Sequence, residues 1–301
     1  MGDHAVPDVT TPLSVGDARS QRQHDVLTEC IEALAIERPQ GDARRVLVTG
    51  FGPFPPHETN ASAAIVAALI GAPLRAMPPP DPTDVVDPSP HLQRFVRSMT
   101  FASGEVEVHA LVLPVAWDLA ALLTLRHLAV IRPVVVVMNG IGHAQQPIGV
   151  ERAATGLSSG RPDALGMRHE QELHGKGLLV DEDVGGRRPL SLARESIVAR
   201  ARAALERSSL RARSIELAAA RDDNAFICNQ LAYLVDRASK RGRELLALRT
   251  DHARGVTASV EHPVLGPLGF VHWPSSLAGD DIFAAADVLR AIVDAALDEV
   301  T

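Results

Sequence analysis

The stretch Pro133-Val134-Val135-Val136-Val137 decides the fold class of this chain. Four consecutive valines carry no polar residue among them, and β-branched residues favour a strand that is buried on both faces of a sheet. Helical patterns stand on either side of it, over 119–131 and over 190–208. We therefore predict an α/β protein in which helices cover both faces of a mostly parallel central sheet, a three-layer α/β/α sandwich.

The rest of the chain alternates between the same two patterns. Short apolar or alternating runs predict strands at 46–48, 106–112, 214–219, 245–248 and 268–272. Apolar residues at helical spacing predict further helices at 62–69, 226–238 and 281–300. Residues 77–90, and the residues after Gly142 up to about Pro189, are rich in Gly, Pro and charge and are predicted to form loops.

The N-terminal region differs in composition from the remainder of the chain. Residues 1 to about 20 are rich in Pro, Asp, Thr and Ser without a hydrophobic period, which predicts disorder. Residues 25–36 have the spacing of one short amphipathic helix, with Cys30 on its apolar side. We divide the chain into an N-terminal extension over 1–43 and one larger folded domain over 44–301.

Charge and cysteine content exclude several classes of protein. The formal net charge is −7 and the basic residues are scattered, so no basic patch predicts nucleic-acid binding. No apolar run approaches the roughly 20 residues that span a bilayer. Two cysteines are too few for a disulfide framework, and the first residues do not form a secretory signal. The expected location is the cytoplasm, with neither nucleic acid nor membrane as a partner.

Loops at the predicted strand ends hold the residues suited to chemistry, because ligand sites of α/β sheets lie there. These loops are Thr49-Gly50-Phe51-Gly52-Pro53-Phe54-Pro55-Pro56, Asn139-Gly140-Ile141-Gly142 with Glu151-Arg152, Ala225-Phe226-Ile227-Cys228-Asn229, and Gly269-Phe270-Val271-His272-Trp273-Pro274. Ordinary structural explanations exist for each of them. Phenylalanines can plug a core, Glu151 and Arg152 can form a surface ion pair, and a lone cysteine is most often a buried apolar residue.

The position of Cys228 adds a chemical argument. It is predicted to enter near the first turn of a helix, where free N–H groups and positive potential favour a thiolate. A nucleophilic cysteine needs a base, and a histidine base needs a third group that holds its ring. Glu151, Cys228 and His272 lie in separate loops, as such an arrangement allows, although spacing alone does not select them.

Taken together, these segments resemble the pyroglutamyl peptidases of type I, a family of cysteine peptidases, from about Val46 to the C-terminus. The resemblance rests on motifs in order: Thr49-Gly50-Phe51-Gly52-Pro53-Phe54 with Asn60 and Ser62, Glu151-Arg152 with Arg161-Pro162-Asp163, Phe226-Ile227-Cys228-Asn229 with Leu231, and Gly269-Phe270-Val271-His272-Trp273-Pro274. Each motif is weak alone, and the ordered set is specific. Two departures stand out: Pro55-Pro56 replaces a Gly-Gly pair, and His143-Ala144-Gln145 replaces a Gly-rich turn that carries an arginine.

The resemblance implies an activity and a catalytic triad. Members of the family have an α/β/α sandwich and remove an N-terminal pyroglutamyl (5-oxoprolyl) residue from peptides without a metal or an organic cofactor. The implied nucleophile is Cys228, the implied acid and base is His272, and Glu151 would orient the imidazole. The partners would be N-terminally pyroglutamylated peptides, and a homo-oligomer is left open.

The resemblance also implies a substrate site. Phe51 and Phe54 would hold the flat lactam ring, and Asn60 would brace their loop. Arg161 would stabilise the oxyanion together with the Cys228 backbone N–H, and Phe226 would contribute to substrate binding.

Other functions stay open at this stage. A divergent cysteine hydrolase of another small cyclic or N-capped amide and a catalytically inactive ligand-binding relative share the same motifs. A metallohydrolase is suggested by the segment His169-Glu170-Gln171-Glu172-Leu173-His174. Its histidines are five residues apart, however, whereas a zinc-binding helix needs them about four apart to share a face.

Overall fold

The structure is a computed structural model that describes residues 36, 41–77, 92–117, 119–157, 159, 161–164, 186–219, 225–241, 245–247, 257–259 and 266–300. The predicted N-terminal tail, the helix that starts near residue 25, most of the loop over 77–90 and the His169–His174 segment lie outside the described residues. The division at residue 43 stays a prediction.

A seven-stranded mixed sheet forms the centre of the molecule, in the order β2-β3-β1-β4-β11-β5-β8. Strands β3, β1, β4 and β11 are parallel, β2 runs antiparallel to β3, and the parallel pair β5 and β8 runs antiparallel to β11. The strands of this sheet are β1 (Arg45–Phe51), β2 (Gln93–Phe101), β3 (Gly104–Leu113), β4 (Val135–Gly142), β5 (Ile148–Glu151), β8 (Ile215–Ala218) and β11 (Leu268–Pro274). Two short antiparallel strand pairs lie outside it: β6 (Ala153–Thr155) with β7 (Arg187–Pro189), and β9 (Leu245–Ala247) with β10 (Thr257–Ser259).

Helices cover both faces of the sheet, which confirms the predicted three-layer α/β/α sandwich. The helices are α1 (Ala61–Leu69), α2 (Leu119–Ile131), α3 (Glu195–Glu206), α4 (Ile227–Arg241) and α5 (Asp280–Asp298). Helices α1, α3 and α5 share one buried apolar cluster, and α2 and α4 share the other. None of the described helices is both long enough and apolar enough to cross a membrane.

The strand pleat decides which face each side chain enters, because successive residues point to opposite faces. In β11, Val271 and Trp273 belong to the cluster under α1, α3 and α5, whereas Leu268 and Phe270 belong to the cluster under α2 and α4. His272 follows the parity of Phe270, and their ring centroids are 4.7 Å apart. The histidine therefore faces the same side as α4, the helix that carries Cys228.

The structure corrects the prediction of a continuous loop from Gly142 to about Pro189. Residues Ile148–Glu151 form β5, a fully buried strand of the main sheet, and β6 and β7 also lie in this stretch. The strand was missed because its four residues offer two apolar side chains separated by Gly149, too few to establish an alternating pattern. Helix α3 also begins at Glu195 rather than near 190, since Leu192 donates its backbone N–H to Leu268 O and continues the chain along β11.

Candidate active site

A cavity of about 550 Å³ opens at the carboxyl ends of β1, β4 and β11, beside the start of α4. The residues predicted from the sequence all line it: Phe51, Phe54, Asn60, Glu151, Arg161, Phe226, Cys228 and His272. These residues come from four separate segments of the chain. The sheet order brings them together, because β1, β4 and β11 are neighbours and end at the same edge.

Glu151 holds the imidazole of His272. The register pairs His272 with Gly149 and Val271 with Val150, so Glu151 lies diagonally across from His272 on the same face of the antiparallel pair. The His272 ring nitrogen Nδ1 lies 2.8 Å from Glu151 Oε1. Both residues are buried, with 7% of His272 and 8% of Glu151 exposed. Because Nδ1 is engaged by the carboxylate, Nε2 is the ring nitrogen left for Cys228.

Cys228 is the second residue of α4, and its thiol lies close enough to His272 to raise the pKa of the imidazole. Strand β4, which carries Gly140, leaves room for the Cys228 sulfur only because this residue has no side chain. A Cβ atom on Gly140 would lie 2.9 Å from Cys228 Sγ and 2.9 Å from the Phe270 ring. Among the described residues Cys228 is a free cysteine, and it is partly exposed to the cavity.

The environment of His272 favours its charged form. Burial acts to lower the pKa of His272, but hydrogen bonds to Cys228 and Glu151, together with the attraction of their negative charges, outweigh burial and raise this pKa from 6.5 to about 10. An imidazolium at this position stabilises a thiolate on Cys228. The arrangement is therefore suited to a thiolate–imidazolium pair that is held by a buried carboxylate.

Asn229 fastens the first turn of α4, and sequence reasoning assigned it no role. Its side-chain carbonyl accepts the Thr155 N–H at 2.8 Å, and its amide donates to Thr155 O at 2.7 Å and to Leu157 O at 3.0 Å. These bonds join α4 to β6. They fix the direction of the N–H groups of the first helical turn, which have no intrahelical acceptor and can bind an oxyanion beside Cys228.

Aromatic rings form one wall of the cavity. The Phe54 ring lies 5.9 Å from the Phe226 ring and 5.0 Å from the His57 ring, and Trp117 meets Phe226 edge-on at 5.3 Å. Phe51 is only 2% exposed and forms the base of the wall. Phe54 and Phe226 therefore pack against each other and form one continuous aromatic surface of the cavity.

Arg161 is held at the edge of this wall by bonds of its own segment. Trp117 donates its indole N–H to Arg161 O at 3.2 Å, and Asp163 accepts the Trp117 backbone N–H at 2.9 Å. The Arg161 guanidinium lies 5.1 Å from the centre of the Phe226 ring. The positively charged Arg161 guanidinium therefore lies over the Phe226 ring, two residues before Cys228.

Asn60 braces the loop between β1 and α1. It is the N-cap of α1, where its oxygen accepts the Ser62 N–H at 3.1 Å, while its amide donates to Gly52 O at 3.0 Å. Ser62 Oγ in turn accepts the Phe51 N–H at 2.9 Å. Because these bonds engage its oxygen and its amide, the Asn60 side chain serves to position Phe51 and its loop and not to bind a ligand.

Sequence reasoning also missed cavity residues outside the motifs, among them Gln146 and Glu216. The Gln146 side chain folds over Gly142, where a Cβ atom would lie 2.0 Å from its Nε2, and its oxygen accepts the His143 N–H at 3.0 Å. Glu216 is an exposed carboxylate on β8. Neither residue lies in a motif of the resemblance. The departure at His143-Ala144-Gln145 was the one available signal, and it pointed to the region of Gln146. No group of three or more His, Cys, Asp or Glu side chains within the described ranges is placed to hold a metal ion.

The chain is similar in structure to solved pyroglutamyl peptidases. It matches pyroglutamyl peptidase I from Bacillus amyloliquefaciens with a TM-score of 0.55 at 16% sequence identity, covering 85% of this chain and 98% of that chain. It matches a mutant pyrrolidone carboxyl peptidase from the hyperthermophile Pyrococcus furiosus with a TM-score of 0.55 at 18% identity, covering 85% of this chain and 100% of that chain. The fold is shared. No family model and no curated protein sequence matches the chain.

Proposed function

We propose that this protein is a cysteine peptidase that removes an N-terminal pyroglutamyl residue from peptides. The observation that carries the proposal is the His272 ring, whose Nδ1 is hydrogen-bonded to Glu151 and whose pKa the neighbouring Cys228 thiol helps to raise, at the edge of an aromatic cavity. The shared fold with solved pyroglutamyl peptidases supports it. A thiol nucleophile also agrees with the reducing conditions of the cytoplasm, where we place the protein.

Acylation would begin with the Cys228 thiolate. Its sulfur attacks the carbonyl carbon that joins the pyroglutamyl residue to the peptide, and the carbonyl oxygen takes up the electron pair. The N–H groups at the start of α4 and the Arg161 guanidinium stabilise this oxyanion. When the C–N bond breaks, His272 Nε2 gives its proton to the leaving amine.

Deacylation restores the enzyme. A water molecule attacks the thioester carbonyl carbon and passes a proton to His272 Nε2. The C–S bond then breaks, pyroglutamic acid leaves, and the thiolate–imidazolium pair forms again. Glu151 stays ionised throughout and holds the ring in the orientation that both steps need.

The aromatic wall would select the lactam. The pyroglutamyl ring is flat and neutral, so it would lie against the wall that Phe54 and Phe226 form together, in the cavity that Phe51 also lines. The open forms, N-terminal glutamate or glutamine, bring a charged amine, and none of the described residues of this aromatic wall is a carboxylate. Burying an unpaired charge there costs several kcal/mol, which is enough to exclude them.

The test is hydrolysis of pyroglutamyl aminomethylcoumarin by the purified full chain in the presence of a reductant. The chain has two cysteines, so Cys30→Ala is a matched control for Cys228→Ala. We expect turnover in wild type and in Cys30→Ala and none in Cys228→Ala. Activity that survives in Cys228→Ala would rule out the proposed nucleophile.

A second candidate is a cysteine hydrolase of another small cyclic or N-capped amide. It is favoured by the turn after β4, where the Gln146 side chain occupies the His143 N–H that faces the cavity. A panel of N-acyl and cyclic-amide coumarin derivatives separates the two functions. If no amide is cleaved and Cys228 labels no faster than a free thiol, the protein is a ligand-binding relative instead.

A further inference from the structure

A row of residues crosses four neighbouring strands at the level of the catalytic histidine. His272 on β11 pairs with Gly140 on β4 and with Gly149 on β5, and Gly149 pairs with Glu216 on β8. The sequence separations are large, so this row exists only in the folded sheet. Its order is glycine, histidine, glycine, glutamate.

Three members of this row, His272, Gly149 and Glu216, face the cavity. A Cβ atom on Gly149 would lie 4.0 Å from His272 Cβ and 3.1 Å from Ala218 Cβ, which puts all three on one face. Glu216 is two residues before Ala218 on β8 and therefore shares that face. Glu216, Gly149 and His272 all line the cavity.

Gly149 leaves the row open between the histidine and the glutamate. Strands of a sheet are about 4.8 Å apart, so His272 and Glu216, two strands from each other, have Cα atoms about 10 Å apart. No side chain rises from Gly149, the member of the row between them. The floor of the cavity is therefore a shallow groove from His272 to Glu216.

The direction of the reaction along this groove follows from the strand order β1-β4-β11-β5-β8. Phe51 lies at the end of β1, the Cys228 sulfur stands over Gly140 of β4, and His272 is on β11. If the acyl group binds among the aromatic rings, the leaving amine must lie on the His272 side, since His272 gives it a proton. The remaining peptide then continues over Gly149 towards Glu216.

The Glu216 carboxylate lies at the far end of the groove from His272, and no described cation pairs with it. Within the described ranges its carboxylate takes part in no hydrogen bond or salt bridge. Two described cations near the cavity are engaged elsewhere: Arg161 lies on the Phe226 ring, and Arg213 donates to Ala144 O and Ser276 Oγ.

We propose that Glu216 selects substrates with a cationic residue, lysine or arginine, directly after the scissile bond. The inference rests on the proposed peptidase function and names the substrate class of the same site. A long cationic side chain spans the distance from the leaving nitrogen to the Glu216 carboxylate. An acidic residue in that place is repelled. Because the carboxylate is exposed, the preference is moderate and depends on salt.

The experiment compares pyroglutamyl-Lys, pyroglutamyl-Ala and pyroglutamyl-Glu dipeptide amides by chromatography of the released amine. Wild type is expected to prefer Lys over Ala by about two- to fivefold in kcat/KM, and to cleave the Glu amide more slowly than either. The preference should shrink at about 1 M salt, where the Debye length falls to about 3 Å. Glu216→Gln should remove the preference and Glu216→Lys should reverse it.

Glu206→Lys is the matched control, because it makes the same change of charge on the exposed last turn of α3, outside the cavity. It should keep the wild-type preference. Labelling of Cys228 at the wild-type rate shows that each variant keeps its folded site. A preference that is absent in wild type, or that persists in Glu216→Lys, overturns the inference while the peptidase function stands. Failure to cleave all three amides overturns both.

Discussion

Glu151→Gln is the most informative single change at this site, because it removes a charge and keeps the shape. The carboxylate lies 2.8 Å from His272 Nδ1, and both side chains are buried. With about 4 Å between charge centres and an effective dielectric constant of about 20, Coulomb's law gives about 4 kcal/mol. The loss of this attraction should lower the pKa of His272, which the site raises to about 10.

The same substitution should almost abolish turnover. The glutamine amide donates a hydrogen bond to Nδ1 of the neutral ring, so that Nε2 keeps its own proton and cannot accept one from Cys228. The wrong tautomer of a catalytic histidine costs on the order of 10⁴ in kcat in a serine peptidase with the same triad logic. We expect a loss of about 10³ to 10⁴ here, with little change in KM because the aromatic wall is untouched.

Two measurements test this reasoning. Steady-state hydrolysis gives kcat and KM, and an NMR titration of ¹⁵N-histidine-labelled protein gives the pKa of His272, with His272→Gln identifying its signals. Glu195→Gln is the control: it makes the same change at an exposed carboxylate that lies 3.9 Å from the Arg152 guanidinium. If Glu151→Gln leaves both kcat and the pKa of His272 as they are in wild type, Glu151 is not the orienting group.

Three further outcomes are expected. Gly140→Ala should lower kcat about 100-fold with a smaller effect on KM, because a Cβ atom 2.9 Å from Cys228 Sγ displaces the sulfur. A wild-type kcat in this variant would contradict the packing of Cys228 against β4. Asn229→Ala should lower the free energy of unfolding by about 2 to 4 kcal/mol, because it leaves backbone groups of Thr155 and Leu157 unpaired. An unchanged midpoint of urea unfolding would show that α4 is anchored elsewhere. Folding raises the pKa of His272 from 6.5 to about 10, so its stabilising contribution is complete below pH 6.5 and is lost as the pH rises through about 10. Urea unfolding of wild type and His272→Gln between these pH values should therefore show a stability difference that falls with pH, and a constant difference would refute the assignment.

Much of the fold could be predicted because its signals are local. The valine run at 134–137 predicted the centre of the sheet, and β4 occupies Val135–Gly142. The apolar run that ends at His272 predicted β11, and the helix predicted around Cys228 is α4. The period of the side chains follows from backbone geometry, so a long run reveals its element without knowledge of its neighbours.

The short strand β5 could not be predicted in this way. Ile148 and Val150 are too few to stand out from the surrounding polar and glycine residues, and their burial comes from β11 and β8 on either side. For the same reason Glu151 looked like half of a surface ion pair. Its partner proved to be a histidine 121 residues away in the sequence.

The sequence by itself determined the fold class, the helix start that carries Cys228 and the strand end that carries His272. Tertiary structure alone decided that Gly140, His272, Gly149 and Glu216 form one row, and that Glu151 lies diagonally across from the histidine. The physical reason is that strand pairing and register are set by backbone hydrogen bonds and burial between distant segments. These forces act only once the sheet has assembled, so no local pattern records them.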